Sequence, residues 1–318
     1  MFDHIKTYKV LTILKISKIF TISKIYKIFV TLTIVRVKQY INLVKILKLG
    51  EHAAVYGNPV IAATVNLRTY VDVKIRNDSK FSVKDMNGMT EIFDNDNVFV
   101  NKFPVVAEGV NKVENYINQK SGLNVEISSQ IPIGKGLGSS ASLASALCMA
   151  TAGELGHNLT IKEVANLSWD IENIIHKKSS GVDPFTVSYG GIIKYTQGNL
   201  EKINIGENLD VAIVDTGITM DTGNVVMDVF HLKERNEEIF VEWLNTMKIL
   251  ADDGINFLKN NDYENFAGLM NINHGMLYAI GVSSVELEKL KLLSLYRDGL
   301  WTYIAHVSQN YAIIPTAF

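Results

Sequence analysis

The chain of 318 residues is 47% hydrophobic, which is enough material for the core of one large domain or of two ordinary ones. Its 31 basic and 33 acidic residues give a net charge of −2, and residues 1–44 hold eight of the basic residues with a single acid. The remainder is therefore acidic, which excludes a broad nucleic-acid-binding surface. The one cysteine, Cys148, excludes an intrachain disulfide, fits a reducing cytosol and predicts a cytoplasmic protein.

The first 43 residues differ from the rest in composition, since Lys-Ile-rich units repeat at 17–22 and 23–28. A transmembrane helix needs about 20 mostly apolar residues, whereas the uncharged stretch late in this segment covers only 28–35. No small-residue cleavage site marks a signal peptide, and the many β-branched residues disfavour a membrane-surface helix. We interpret residues 1–43 as a basic low-complexity segment outside the fold. A peripheral membrane anchor is the alternative.

From Val44 onward, the spacing of apolar residues predicts the strands and helices of an α+β protein. Predicted strands lie at 60–65, 69–75, 124–128, 192–195 and 209–215, with a weaker candidate at 98–103. Predicted helices lie at 105–119, 142–154 and 161–175, and the chain beyond Thr222 is predicted to be mostly helical. Polar turns between 197 and 208 predict a boundary between two domains, 44–203 and 204–318.

A glycine-rich stretch at 132–142 reads Pro-Ile-Gly-Lys-Gly-Leu-Gly-Ser-Ser-Ala-Ser, between a predicted strand and a predicted helix. Backbone amides at a helix start lack intrahelical acceptors and bind anions, and glycines let the backbone approach a ligand closely. The stretch predicts a phosphate-binding loop, although not of the Walker type, because no Gly-Lys-Ser/Thr closes it. An ordinary glycine-rich turn is the alternative. The predicted cofactor-binding residues are Pro132, Gly134, Gly136, Leu137, Gly138, Ser139 and Ser140.

Two further clusters accompany this loop. Residues 45–57 read Lys-Ile-Leu-Lys-Leu-Gly-Glu-His-Ala-Ala-Val-Tyr-Gly, and Ser-Ser-Gly-Val-Asp-Pro stands at 179–184. In this order the three motifs resemble those of the galactokinase, homoserine kinase, mevalonate kinase and phosphomevalonate kinase superfamily, and within it the mevalonate kinases. The resemblance covers about residues 45–290. It implies a two-domain α+β kinase fold, with an N-terminal domain similar to ribosomal protein S5 and an incomplete ferredoxin-like C-terminal domain.

The resemblance implies a phosphotransferase that moves the γ-phosphate of ATP to the 5-hydroxyl of mevalonate, in isoprenoid biosynthesis. Such a transfer depends on positioning and on neutralising charge at the phosphate oxygens. The resemblance assigns Ser140 and Glu172 to Mg²⁺, a cation that prefers oxygen ligands. ATP and Mg²⁺ are thus the expected cofactors and mevalonate the expected small-molecule partner. A homodimer is left open, and neither nucleic acid nor a membrane is an expected partner.

The resemblance also supplies the catalytic and acceptor residues. Asp183 matches the catalytic aspartate, which orients or deprotonates the attacking alcohol, and Lys45 matches the lysine that neutralises developing charge beside it. Glu51 and His52 match residues that shape the mevalonate end of the cleft. Taken alone, Glu172 would be a solvent-exposed charge and Asp183 before a proline a turn residue, and His52 would be as often a core or cap histidine as a site residue. Their joint occurrence favours the functional assignment.

The chain departs from the family near both ends. A third glycine-rich motif, Lys-Leu-Thr-Gly-Ala-Gly-Gly-Gly-Gly, is expected shortly after Leu290, but Leu-Leu-Ser-Leu-Tyr-Arg-Asp-Gly-Leu-Trp-Thr-Tyr stands at 292–303. We therefore expect the C-terminal domain to be truncated or aberrant after about 291 and the kinase activity to be impaired. The alternatives are another small-molecule kinase of the superfamily and a vestigial nucleotide-binding protein without turnover.

Overall fold

The structure is a computed structural model that describes residues 31–36, 44–65, 67–85, 87–88, 90–94, 103–131, 136–176, 179–206, 210–215, 222–295, 305–308 and 311–315. Its strands are β1 (Thr31–Arg36), β2 (Val44–Leu49), β3 (Val60–Val65), β4 (Thr69–Ile75), β5 (Lys80–Lys84), β6 (Thr90–Asp94), β7 (Leu123–Ser129), β8 (Ile192–Thr196), β9 (Asn199–Ile203), β10 (Asp210–Asp215), β11 (Ala305–Ser308) and β12 (Tyr311–Pro315). Its α-helices are α1 (Pro104–Ile117), α2 (Ser139–Glu154), α3 (Ile161–His176), α4 (Val182–Tyr189), α5 (Thr222–Arg235), α6 (Glu237–Lys259), α7 (Tyr263–Ala279) and α8 (Val285–Leu295). A 3₁₀ helix covers His52–Tyr56.

These elements confirm the α+β class and the principal predicted strands and helices. The predicted strands at 60–65 and 69–75 match β3 and β4, and the predicted helices at 105–119 and 161–175 match α1 and α3 to within two residues. The weaker strand candidate at 98–103 lies, apart from Phe103, outside the described residues. No helix among the described residues is both long and apolar enough to cross a membrane.

The strands form three four-stranded sheets. One sheet has the order β2-β3-β8-β9 and is antiparallel throughout. A second has the order β4-β7-β5-β6, in which β5 and β7 run parallel and the other pairs are antiparallel. The third has the order β1-β10-β12-β11 and is again antiparallel.

The third sheet uses segments that the sequence predicted to lie outside an intact fold. Strand β1 belongs to residues 1–43, yet Thr31 stands opposite Asp215 in an antiparallel ladder. Strands β11 and β12 lie beyond residue 291, and β12 pairs with β10. The β-branched residues of β1 and β12 explain the difference, because threonine, valine and isoleucine suit a pleated strand whatever the origin of the segment.

The largest hydrophobic core joins the sheet β2-β3-β8-β9 to the C-terminal helices. Leu49 and Ile61 from β2 and β3 share it with Phe240 and Met247 from α6 and with α7 residues. Helix α6 approaches the sheet closely at Gly254, where a Cβ atom would lie 2.8 Å from Leu49 Cδ2 and 2.9 Å from Ile61 Cδ1. The division into domains at 203 and 204 remains a prediction, since this core draws on both sides of it.

Helix α2 lies at the centre of the N-terminal half. It packs against α1, α3, α4 and β4, and its many alanines and serines permit this close packing. Cys148 on α2 is fully buried, and burial raises the pKa of its thiol to about 12. The cysteine is therefore an inert packing residue.

Candidate active site

The glycine-rich loop ends in the start of α2. Gly136 and Gly138 have φ of +73° and +72°, a backbone conformation that favours glycine, and Gly138 is the N-cap of the helix. The amides of the first helical turn have no intrahelical acceptors and carry the positive end of the helix dipole. Pro132 and Gly134 lie outside the described residues. Leu137 is buried in the largest core, so only its backbone faces a possible ligand.

Ser140 and Glu172 have the chemistry of a magnesium site. The Ser140 Oγ atom is buried and has no hydrogen-bond partner among the described residues. Glu172 on α3 is only 6% exposed. A buried hydroxyl and a buried carboxylate beside an anion-binding helix start are oxygen donors that suit Mg²⁺ held against phosphate. These residues therefore fit the expected metal.

Three buried serines tie together the helices that carry the predicted site residues. Ser145 Oγ on α2 lies 3.0 Å from Ser168 Oγ on α3 and 3.0 Å from Ser188 Oγ on α4. Ser168 donates its proton to the Val164 carbonyl oxygen at 2.7 Å. Since each hydroxyl has one proton, the chain runs from Ser188 to Ser145, from Ser145 to Ser168 and from Ser168 to the backbone. We call Ser145, Ser168 and Ser188 the serine cluster.

The serine cluster fixes where the site residues lie along their helices. The helices pack against one another and the connections between them are short, which predicts that α3 runs antiparallel to both α2 and α4. Ser140 and Asp183 each precede their cluster serine by five positions, and Glu172 follows Ser168 by four. At 1.5 Å of rise per residue, all three are expected roughly 6–8 Å along the helix axes from the cluster, on the same side. Helix geometry therefore predicts that Ser140, Glu172 and Asp183 share one end of a three-helix unit.

The loop between α3 and α4 is held by side chains from α3 and β8. Ser179 Oγ donates to Glu172 Oε2 at 2.9 Å, and Tyr195 Oη donates to the Ser180 carbonyl oxygen at 2.9 Å. Gly181 has φ of +80° and is the N-cap of α4. A Cβ atom there would collide with the Tyr195 hydroxyl and lie 2.8 Å from Trp169 Cε2. Asp183 therefore stands in the first turn of a helix whose start is fixed by close packing.

Lys45 lies on the strand beside that helix. It stands opposite Thr64 in the β2–β3 ladder, and the register shifts between Lys45 and Leu47. Such bulges re-aim side chains near active sites. The Thr64 hydroxyl accepts a hydrogen bond of 2.8 Å from the Gly191 amide, just beyond α4. Because α4 packs against both β2 and β3, Lys45 and Asp183 belong to neighbouring elements.

The Gly-Glu-His motif forms a tight turn before the 3₁₀ helix. Glu51 is its N-cap and is 8% exposed, and His52 is its first residue and half-buried. Asn273 on α7 is fully buried and bridges this turn, because its Oδ1 accepts from the Gly50 amide at 3.1 Å and its Nδ2 donates to Glu51 Oε2 at 3.2 Å. The sequence patterns alone gave no role to Asn273.

Comparisons with known proteins agree with this geometry. The family model described as the GHMP kinases N terminal domain matches residues 104–191. The chain is 35% identical over 291 residues to the mevalonate kinase of Thermococcus sibiricus, with 85% of this chain and 87% of that protein covered.

Solved structures show the same fold. The crystal structure of the Methanococcus jannaschii mevalonate kinase superposes with a TM-score of 0.73 at 22% identity, and the match covers 92% of each chain. The L. major mevalonate kinase in complex with R-mevalonate gives a TM-score of 0.71 at 23% identity, and 89% of this chain and 90% of that one are covered. From the 35% identity over most of its length, the chain belongs to the mevalonate kinase family.

Proposed function

We propose that this chain transfers the γ-phosphate of ATP to the 5-hydroxyl of mevalonate. The observation that carries the proposal is the 35% identity to the Thermococcus sibiricus mevalonate kinase over 85% of the chain. The three-helix unit that holds Ser140, Glu172 and Asp183 at one end supports it, since phosphoryl transfer needs phosphate, metal and acceptor groups side by side.

In this proposal the start of α2 binds the phosphates. The amides of 136–140 donate to phosphate oxygens, and the helix dipole favours their negative charge. Ser140 and Glu172 would hold Mg²⁺, which would neutralise negative charge on the phosphates. The buried Ser140 hydroxyl supports this assignment, because it has no hydrogen-bond partner among the described residues. Buried hydroxyls normally have a partner, and a bound ligand would supply one here.

Asp183 accepts the proton of the mevalonate hydroxyl as that oxygen forms its bond to the γ-phosphorus and the bond to the ADP oxygen breaks. Lys45 keeps the Asp183 carboxylate ionised and stabilises negative charge on the transferred group. Glu51 and His52 contact the acceptor, and their turn is fixed by Asn273. Asp183 is the residue whose loss stops chemistry while nucleotide binding persists.

We further propose that turnover is reduced by the unusual sequence at 292–303. The resemblance implies that the family has its third glycine-rich motif at this place and that this motif closes over the phosphates. Residues 296–304 lie outside the described residues, so the proposal rests on the sequence alone. Nucleotide binding without turnover would instead identify a vestigial nucleotide-binding protein.

The test is a coupled ADP-release assay with mevalonate, phosphomevalonate, galactose and homoserine as acceptors. We expect activity with mevalonate that Asp183→Asn and Lys45→Met abolish, with ADP affinity retained. Asp170→Asn is the matched control, because this carboxylate lies on the same helix as Glu172 but is exposed and outside the site. Its Oδ2 atom lies 3.6 Å from Lys112 Nζ. Equal rates for Asp183→Asn and wild type would refute the assigned roles, and preference for another acceptor would move the chain to another kinase.

We also propose a cytoplasmic location and a homodimer. The buried, reduced Cys148 supports the first. For the second, α6 exposes Ile239 and Ile249 at 72% and 59%, which is apolar area for a partner to cover. Light scattering over a tenfold range of protein concentration distinguishes dimer from monomer.

A further inference from the structure

All three polar groups of Ser179 are hydrogen-bonded, and together they make four bonds. Its amide donates to Asn173 Oδ1 at 2.9 Å, and its carbonyl oxygen accepts from Trp169 Nε1 at 3.0 Å. Its hydroxyl donates to Glu172 Oε2 at 2.9 Å and accepts from the Gly181 amide at 3.2 Å. A loop residue with every polar group paired is held in one position.

Three of these four partners come from one face of α3. Trp169, Glu172 and Asn173 are spaced i, i+3 and i+4, so their side chains lie next to one another on the helix surface. Side chains of α3 hydrogen-bond the amide and the carbonyl group of Ser179, and the Glu172 carboxylate of the same helix accepts from its hydroxyl. The side-chain oxygen of Ser179 is therefore placed by its backbone, with little freedom left to it.

The fourth partner, the Gly181 amide, belongs to the turn that precedes Asp183. Gly181 is the N-cap of α4, and Asp183 follows it by two residues in the first turn. The Ser179 hydroxyl thus lies between the carboxylate assigned to Mg²⁺ and the amide that starts the helix of the catalytic aspartate. A hydroxyl that donates to a carboxylate becomes a better acceptor, so the two bonds strengthen each other.

We propose that Ser179 is a positioning residue that couples the orientation of the Glu172 carboxylate to the turn that carries Asp183. The inference rests on the proposed function, because it matters for catalysis only if Glu172 binds Mg²⁺ and Asp183 contacts the acceptor. Outer partners that orient a ligating carboxylate typically change metal affinity or activity by about 10–100-fold when removed. Ser179 is such a partner, and it links the metal site to the acceptor site.

The first test measures Mg²⁺ dependence of ADP binding by calorimetry in Ser179→Ala, Ser179→Thr and Asn173→Ala. Ser179→Ala is expected to weaken the Mg²⁺-dependent part of ADP affinity by about 10-fold and to leave affinity without Mg²⁺ unchanged. Ser179→Thr keeps the hydroxyl and is expected to restore the affinity. Asn173→Ala removes the contact to the Ser179 amide and keeps the hydroxyl, so a smaller loss than in Ser179→Ala is expected. Unchanged Mg²⁺ dependence in Ser179→Ala, or an equal loss in Asn173→Ala and Ser179→Thr, would overturn the proposal.

The second test does not depend on catalysis. Hydrogen exchange at 179–183 is expected to be faster in Ser179→Ala than in wild type and Ser179→Thr, because the Gly181 amide loses its acceptor. Exchange at the same rate in all three proteins would refute the coupling. If this contrast is found but wild type phosphorylates no acceptor, the proposed function fails and the positioning role of Ser179 stands.

Discussion

The two walls of the candidate site are held by hydrogen bonds that differ greatly in the sequence separation of their partners. The nucleotide wall, which comprises 136–140, Glu172 and the turn 179–183, is tied by hydrogen bonds between residues 7 to 43 positions apart. The acceptor wall, which comprises Gly50, Glu51 and Asn273, is tied by bonds that span 223 and 222 positions. The first wall lies entirely within the matched GHMP segment, 104–191. The second depends on a C-terminal helix.

This difference predicts that the two binding functions are separable by mutation. Contacts within 104–191 hold the residues assigned to phosphate and metal, while α7 holds the turn assigned to the acceptor. Damage to the residues of the nucleotide wall that are assigned to phosphate and metal should affect ADP binding and chemistry together. Damage to the acceptor wall should raise the KM for mevalonate and leave ADP affinity unchanged.

The largest effect is expected from Gly181→Ala, which breaks the nucleotide wall. An alanine at φ of +80° costs roughly 1–2 kcal/mol, and the collision with Tyr195 and Trp169 adds about 1–3 kcal/mol of overpacking. Kinase activity should be lost and the free energy of unfolding in urea should fall by the sum. Gly156→Ala is the control, because it has φ of +82° with nothing within 4 Å of the added Cβ. Equal losses in both variants would show that close packing at Gly181 is unimportant.

Asn273→Ala should break the acceptor wall alone. It leaves the buried Gly50 amide without its acceptor, which costs about 1–3 kcal/mol of stability, and it releases Glu51. We expect the KM for mevalonate to rise about 10-fold while calorimetric ADP affinity stays as in wild type. Asn271→Ala, on the same helix but outside these bonds, should show neither change. A fall in ADP affinity as large as the rise in KM would contradict the separation of the walls.

Ser145→Ala tests how the nucleotide wall is aligned. It removes the central member of the serine cluster and is expected to lower the free energy of unfolding by about 1–2 kcal/mol, with kcat falling more than KM changes. The control on the same helix is Thr151→Val, because the buried Thr151 hydroxyl has no partner among the described residues and its loss should be neutral or stabilising. If both variants lose kcat equally, the cluster has no special alignment role.

The smallest effect concerns the pH dependence of stability at His274, the residue that follows Asn273 on α7. Burial first, and then the charge of Lys291, lower the pKa of His274 below its ordinary 6.5, although Glu288 lies 2.8 Å from its Nε2 and opposes the shift. The unfolded chain therefore binds more protons as pH falls through 6.5, and stability that is present above this pH is lost below it. Urea unfolding between pH 7 and pH 5 should show the loss, and His274→Gln should flatten it. A profile that is unchanged in His274→Gln would assign the loss to other groups.

The local elements were easier to predict from the sequence than the contact between Gly50 and Asn273, and the reason is the sequence separation of the residues involved. Apolar periodicity predicted α1, α3, β3 and β4 because it is a local property. Family resemblance supplied Ser140, Glu172 and Asp183 as roles still to be tested. No local pattern links Asn273 to Gly50, since only the packed core brings α7 to β2. Ser179 was overlooked for a different reason, because its partners are recognisable only when the α3 face is known to meet the loop.

The Gly50–Asn273 hydrogen bond also sets an order of events during synthesis. At 5–20 residues per second, the ribosome adds Asn273 roughly 10–45 s after Gly50, given the 223 positions between them. The serine cluster and the turn before Asp183 are translated within that interval, so a nascent chain can assemble its phosphate-binding half early. Leu49 and Ile61 meanwhile lack the α6 residues that cover them in the finished protein. The nascent chain thus leaves this apolar sheet face uncovered until α6 has been made.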